Sequence, residues 1–308
     1  MSVKTHSIWR SSPQASMICF LPMHLTDKYM HVALDLMWKT PVSALDLHRF
    51  FVNSAFDLKK TVSLWLIVNG VFNSLLSGYR DDVEKYADKP REQDTIRYIL
   101  DYGWGFAGHR IQFAKFSNSS FKSADVSNAF RILEKTLLLE LVYPQTSVSF
   151  PLLPDTKKSP KLLWLDTGLV NYVAGMQDDL LFSSDTDELW NGDIAEHVVA
   201  QELLASSFTF GERRMFWVRE ARNSQAEVDF LLRHKSHILP IEVRTGSNSK
   251  LRSLNLFMNE SKEGVALRLW NGPLSSDRIA KTGGEAFTLY NIPIYYAGQL
   301  RRFLDRIF

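Results

Sequence analysis

The chain of 308 residues has a single cysteine, Cys19. No intrachain disulfide can form, and a reducing, cytoplasmic setting is the expectation. Cys19 itself reads as a small apolar residue of the interior. Long apolar runs are also missing: Trp65-Leu-Ile-Val68 stops at Asn69 and Leu137-Leu-Leu139 at Glu140, far short of the ~18 residues a membrane span requires. No membrane partner is expected, and no continuous apolar core before Met17 marks a secretory signal. Charge of one sign does not dominate, because 36 Lys and Arg face 34 Asp and Glu for a net charge of +2. Binding of nucleic acid by the overall field is thereby excluded, and any such contact needs a local patch. The phosphate-cradling Gly-x-x-x-x-Gly-Lys-(Ser/Thr) loop occurs nowhere; Gly103-Trp-Gly-Phe-Ala-Gly-His109 has the glycines without the lysine. No nucleotide cofactor and no ATPase activity are expected. His197 stands without a second His or a Cys at ligand spacing, and His234 and His237 pair only across a turn, so zinc is not expected.

What is present is a globular composition, with 45% hydrophobic and 12% aromatic residues, in a length that suits two or three compact domains. Two stretches draw attention. Ala226-Glu-Val-Asp-Phe-Leu-Leu-Arg233 and Ile238-Leu-Pro-Ile-Glu-Val-Arg-Thr245 are short, apolar and separated by His234-Lys-Ser-His237, the pattern of paired strands around a tight turn. Asp229 lies between Val228 and Phe230, and Glu242 between Ile241 and Val243. A carboxylate placed so costs several kcal/mol or more unless it finds a partner. Strand alternation puts Glu227, Asp229 and Leu231 on one face and Glu242 with Arg244 on one face of the neighbour. Two readings are open: a structural ion pair with Arg244, or carboxylates that hold a divalent cation such as Mg²⁺.

The order of elements bears on that choice. Asp193 to Leu204 has Ile194, Val198, Val199 and Leu203 at helical spacing, with Glu196 inside it. Met215 to Arg219 reads as a strand, the two acidic strands follow, then a helix over Leu251 to Met258 and a strand over Val265 to Trp270. This helix, three strands, helix, strand order, with Glu196, Asp229, Glu242 and Arg244 in place, resembles the PD-(D/E)xK or restriction-endonuclease-like fold. Gly192-Asp-Ile-Ala-Glu196, Ala226-Glu-Val-Asp-Phe230 and Pro240-Ile-Glu-Val-Arg-Thr-Gly246 are similar, more closely, to the C-terminal domain of unknown function of an archaeal-type AAA ATPase family. The resemblance implies Mg²⁺ or Mn²⁺ bound by Asp229 and Glu242 with help from the Val243 carbonyl. It further implies that Glu196 orients water or a second cation and that Arg244 meets the scissile phosphate, so Glu196, Asp229, Glu242 and Arg244 are the expected catalytic set. The family pattern has Lys where this chain has Arg244. Arginine keeps the charge, but with a pKa above ~12 it cannot accept a proton.

The expected architecture is therefore α+β or α/β: an unassigned segment at 1–45, a helical region at 46–90, a winged-helix-like domain at 91–177, and an αβββαβ nuclease-like domain at 189–308. Over Leu45 to Tyr86, Leu58, Val71, Leu75, Leu76 and others recur at helical spacing. Helices are expected over Glu92 to Tyr102, Phe113 to Phe116 and Ser123 to Thr136, the last capped by Ser123 or Asp125 and packed through Val126, Phe130, Leu133 and Leu137. Leu139 to Tyr143 and Lys161 to Leu165 would form the wing. Lys122, Asn128, Arg131 and Lys135 are left on the helix surface, where a helix-turn-helix would present them to DNA; the same face could serve as a packing spacer or a protein contact. Ser159-Pro-Lys-Leu-Leu-Trp-Leu-Asp-Thr-Gly168 resembles the family's Lys-(Leu/Val)-x-x-x-Asp-x-Gly segment, with Asp166 expected to cap the next helix. Asp178 to Glu188 reads as a linker, and the tail Ile294 to Phe308 as an amphipathic helix. The family's ATP-binding module is absent from this sequence, so DNA, another protein or a separate ATPase is the expected partner.

Overall fold

The computed structural model describes residues 58–175, 192–206, 214–221, 224–244 and 251–308. The expectations for 1–45 and for the linker at 178–188 fall outside them. The architecture is mixed α and β, with no helix among the described residues long and apolar enough to cross a membrane.

The upstream unit begins with α1 (Leu58–Asp81) and the short α2 (Val83–Tyr86). Phe72, Leu76 and Tyr79 of α1 reach the core, whereas Val71 and Leu75 are exposed. Helix α3 (Pro90–Tyr102) starts on a proline, whose missing N–H costs nothing at a first helical position, and buries Ile96, Ile99 and Leu100. In α4 (Ser123–Lys135), Val126, Ala129, Phe130 and Leu133 are buried at helical spacing. Leu137, expected to continue that row, lies past the helix end at φ 61° and is exposed. The expected cap also differs: neither Ser123 nor Asp125 bonds the helix terminus, because the Asp125 carboxylate accepts from Arg91 Nε at 2.7 Å instead. Between the two helices lie two 3-10 turns, Trp104–Phe106 and Phe116–Asn118.

Strands β1 (Leu139–Val142) and β3 (Lys161–Trp164) pair antiparallel, with Glu140 opposite Leu163. The chain leaving β1 enters β2 (Pro144–Gln145), which lies parallel to β4 (Met215–Ala221) at the edge of the large sheet. After β3, α5 (Thr167–Val173) starts at Asp166, whose carboxylate accepts from the Leu169 N–H at 3.1 Å, as expected.

The downstream unit follows α6 (Gly192–Ala205) with β4, β5 (Ser224–His234) and β6 (His237–Arg244), then α7 (Arg252–Glu260), β7 (Val265–Trp270), β8 (Ser275–Ala280), β9 (Ala286–Pro293), a 3-10 turn over Ile294–Gln299 and α8 (Leu300–Leu304). The expected tail helix is thus divided between a six-residue 3-10 turn and a five-residue α-helix. Sheet order is β2-β4-β5-β6-β7-β9-β8. Pairs β4/β5, β5/β6 and β8/β9 are antiparallel; β6/β7 and β7/β9 are parallel. Between β5 and β6 the turn closes on Lys235 at φ 52°.

Helices cover both faces. Ala195, Val199, Ala200 and Leu203 of α6 pack on Phe216, Phe230, Leu232, Ile241, Val243 and Leu267. Leu254, Phe257 and Met258 of α7 pack on Trp217, Val228, Leu231 and Ala266. A third core holds the upstream unit, where Trp104 stacks on Trp164 at 3.8 Å between ring centroids.

One irregularity positions the site. Met215 pairs with Leu231 but Trp217 with Val228, so Asp229 and Phe230 together oppose Phe216. This bulge breaks the period of two. Leu231 consequently faces α7, not the side of Glu227 and Asp229 that the alternation had given it.

Candidate functional site

Strand β3 works for both units. Leu162 and Trp164 point into the upstream core while Leu163 joins the core beneath α6. By the same alternation Lys161 turns toward the large sheet, and its side chain is only 3% exposed. Its ammonium donates to Glu196 Oε2 at 3.1 Å and stands 2.8 Å from Glu227 Oε1 and 3.9 Å from Asp229 Oδ1. The rings of Phe216 and Phe230 lie 5.0 and 5.8 Å from it, within cation–π range. Lys161 sits in a cage of three carboxylates over two aromatic faces.

The other side of Asp229 belongs to Arg244. Asp229 Oδ2 accepts from the Val243 N–H at 2.7 Å and lies 3.8 Å from Arg244 Nη1. The same Nη1 donates to the Val243 carbonyl at 3.0 Å, and Nη2 bonds Glu242 Oε1. Asp229, Glu242 and the Val243 carbonyl, the three expected metal ligands, are therefore brought together, and the guanidinium of Arg244 lies against all three. Arg244 is one-third exposed and Glu242 fully buried. Glu242 Oε2 has no hydrogen-bond partner.

Glu196, Asp229 and Glu242 thus share Lys161 and Arg244, while Glu227 also faces Arg110, and the crowding of acidic groups shows in the titration of the three buried carboxylates. Burial, then the charge of Asp229, pushes Glu196 up to about 7 against the pull of Lys161. Burial and Asp229 push Glu242 up to about 8, with Arg244 opposing. Asp229 is raised by burial despite Lys161, Arg244 and the Val243 N–H. For Lys161 burial alone would lower the value, but Glu196, Asp229 and Glu227 outweigh it and raise the pKa, so the ammonium stays charged.

The donor set suits a hard divalent cation, which takes carboxylate and carbonyl oxygens, and the orphaned Glu242 Oε2 is a spare acceptor. Among the described residues no group of three or more acidic, His or Cys side chains is spaced to hold a metal ion; where three carboxylates do converge, the centre of the group is the Lys161 ammonium. The residues fit the ion in kind once Arg244 gives way.

Further bonds fix the site to the upstream unit. Arg214, buried, donates through Nε to Glu140 of β1 at 2.9 Å and through Nη1 to the Ala200 carbonyl of α6 at 2.6 Å. His197 Nε2 accepts from the Trp164 N–H at 2.9 Å, which leaves Nδ1 as the protonated nitrogen, 2.9 Å from Thr167 Oγ1. Burial and the charge of Arg214 lower His197 to about 3, so this imidazole is neutral and structural. At the rim Arg110 reaches Glu220 at 2.8 Å and Glu227 at 3.9 Å. Beside it an open groove of about 700 Å³ is lined by Arg110, Gln112, Asp155, Lys157, Lys158, Ser159 and Glu220.

The expected surface residues of α4 lie elsewhere. Lys122, Asn128, Arg131 and Lys135 are all exposed, and Asn128 donates to Glu92 Oε1 at 3.1 Å. Glu196, Asp229, Glu242 and Arg244, the set the resemblance implied, lie in one cluster. Lys161 and Glu227 were missing from the expected set. The signal for Lys161 was available, since a lone charge beside Leu162, Leu163 and Trp164 meets the same test that singled out Asp229.

Compared with known families, residues 69–180 match a model described as a domain of unknown function (DUF8612) and residues 191–283 another so described (DUF4143). No curated protein and no solved structure matches the chain. Each matched segment is about a third of the length; Lys161 lies in the first, and its partners Glu196, Glu227 and Asp229 lie in the second.

Proposed function

We propose that residues 192–308 are a PD-(D/E)xK nuclease-like module in which Asp229 and Glu242 hold Mg²⁺ or Mn²⁺, and that the protein cleaves phosphodiester bonds in DNA. The observation that carries this reading is the surplus of buried carboxylate around Lys161 and Arg244, with Glu242 Oε2 left unpartnered at zero exposure. Buried charge without full compensation is expensive, and a divalent cation held between Asp229 and Glu242 would supply that compensation. When bound, the ion would polarise a phosphoryl oxygen and lower the pKa of a coordinated water.

The chain's own residues divide the remaining work. Glu196, with a pKa near 7, is matched to accepting a proton at neutral pH, a task closed to Arg244. Arg244 offers two donors to the phosphate once released from Glu242 and Asp229. The neighbouring groove, with Arg110, Lys157 and Lys158 along it, provides local positive charge for a phosphodiester backbone that the net charge of +2 does not. In the winged-helix-like reading of the upstream unit, Lys122, Asn128, Arg131 and Lys135 of α4 add a second DNA contact. A cytoplasmic protein that works with DNA and a separate ATPase fits this reading.

Plasmid and linear DNA incubated with the full chain and Mn²⁺, beside Asp229→Ala, test it. Cleavage by the wild type and none by the variant is the expected outcome; equal inertness of the two sinks the proposal of turnover.

One observation favours a second reading. Arg244 is bonded to Glu242 and to the Val243 carbonyl, a self-contained arrangement suited to a non-catalytic DNA- or protein-binding regulatory module. DNA binding that weakens with salt, without heat from Mn²⁺ titration, selects that alternative.

A further inference from the structure

The cage around Lys161 carries an inference that rests on, and goes beyond, the proposed metal reading. Three carboxylate oxygens converge on its ammonium, from Glu196 on α6 at 3.1 Å, Glu227 on β5 at 2.8 Å and Asp229 on β5 at 3.9 Å. Phe216 and Phe230 close the floor. Oxygens from a helix and a bulged strand gathered around one positive centre are the surroundings of a bound cation, with the cation supplied by a covalently tethered lysine. Asp229 is shared: Oδ1 faces Lys161 while Oδ2 faces Arg244 and the Val243 N–H. Any ion bound by Asp229 therefore feels the lysine charge through a single carboxylate.

We propose that Lys161 is the built-in cation of this centre: it occupies a second cation subsite formed by Glu196, Glu227 and Asp229, and it sets how tightly the centre takes a divalent ion. A unit positive charge held this close repels an arriving cation and draws electron density from the Asp229 carboxylate. It also comes from β3 of the upstream unit, so the centre is complete only in a chain in which that unit is docked. Lys161 acts here through Glu196, Glu227 and Asp229 and is a positioning residue.

A structural lysine and a built-in cation predict opposite signs for one substitution. Lys161→Met keeps the length and apolar stem of the side chain and deletes the charge. Mn²⁺ is titrated calorimetrically into the full-length wild type, Lys161→Met and Lys161→Arg, and each is melted with and without Mn²⁺. The expected result is Mn²⁺ binding to Lys161→Met at least tenfold tighter than to the wild type. That variant should also show the largest rise in melting temperature with the ion, since a ligand of the folded state stabilises it by mass action. Lys161→Arg, which keeps the charge, stays within about threefold of the wild type on this account, given that arginine too remains cationic. Equal or weaker Mn²⁺ binding by Lys161→Met overturns the proposal, as does the absence of binding by every protein. Binding by Lys161→Met alone supports the proposal while removing metal-dependent cleavage by the native chain, so the two claims fail separately. Should Lys161→Met be unfolded in chelator, its refolding on addition of Mn²⁺ supports the proposal and its failure to refold overturns it.

Discussion

Lys161 and Lys122 are separated by fewer than forty positions of one chain and differ in nearly every physical respect. Lys122 begins the exposed face of α4, where it shares solvent with Arg131 and Lys135. Lys161 is 3% exposed, contacts three acidic side chains and remains charged because they outweigh the cost of its burial. An exposed cation is screened by water and salt, and its geometry records little about its use. A buried one is fixed by its partners, so its position is informative. The charged junction between the units therefore supports a functional argument that the α4 surface does not.

Substitution at these two lysines is the largest expected contrast. Lys161→Ala leaves three carboxylates facing one another and, measured by urea unfolding in chelator, costs about 3–5 kcal/mol as for other broken buried pairs. Lys122→Ala stays within about 0.5 kcal/mol, as exposed substitutions usually do. Comparable losses at the two positions would erase the distinction.

The pH dependence comes next. Glu242 is raised to about 8 and Glu196 to about 7 in the folded protein, above the ordinary carboxylate value. The folded state then holds more protons than the unfolded state across the interval from about pH 4.5 to 8, so stability falls as pH rises through it. His197, lowered to about 3, acts with the opposite sign, since its stability contribution is lost as pH falls below about 6.5. Between about 6.5 and 8 the fall comes from Glu242 and Glu196 together with Glu202, which burial raises to about 7, and each contributes a slope of up to about 1.4 kcal/mol per pH unit. Unfolding of Glu242→Gln should show a clearly shallower fall of stability over that window than the wild type. An unchanged slope would mean that Glu242 is ionised throughout and the charge is balanced some other way.

The smallest effect belongs to the exposed face. If α4 meets the DNA backbone, Arg131→Ala and Lys135→Ala each lower the slope of log affinity against log salt by about 0.9 while leaving the fold intact. Slopes equal to that of the wild type would confine DNA contact to the groove at Arg110, Lys157 and Lys158.

Much of the core order was legible in the sequence because it rests on local periodicity. The helix holding Ile194, Val198, Val199 and Leu203, the hairpin around Lys235 and Ser236, and the strand Val265–Trp270 all lie where apolar spacing puts them. Asp229, Glu242 and Arg244 were legible as a cluster because charge inside an apolar run needs a partner. The misses have non-local causes. Strand β8, Ser275–Ala280, is largely exposed and polar and is held by pairing to β9, so its own residues give little signal. The two-residue β2 is a strand only through Phe216 and Trp217. The bulge at Asp229 and Phe230 depends on the partner strand, which is why the alternation failed at Leu231. Lys161 was placed in a wing because its strand pairs with Leu139–Val142 as expected. The strand's second face, turned toward α6 and β5, is a property of how the two units dock.

The most direct test of the central claim, that Asp229 and Glu242 form one site for a divalent cation, is the electron paramagnetic resonance signal of Mn²⁺ mixed with the full chain. The account predicts that wild-type protein in excess quenches the six-line spectrum of the free ion and that Asp229→Ala leaves it intact. A free-ion spectrum unchanged by the wild type, or quenched equally by Asp229→Ala, would contradict it.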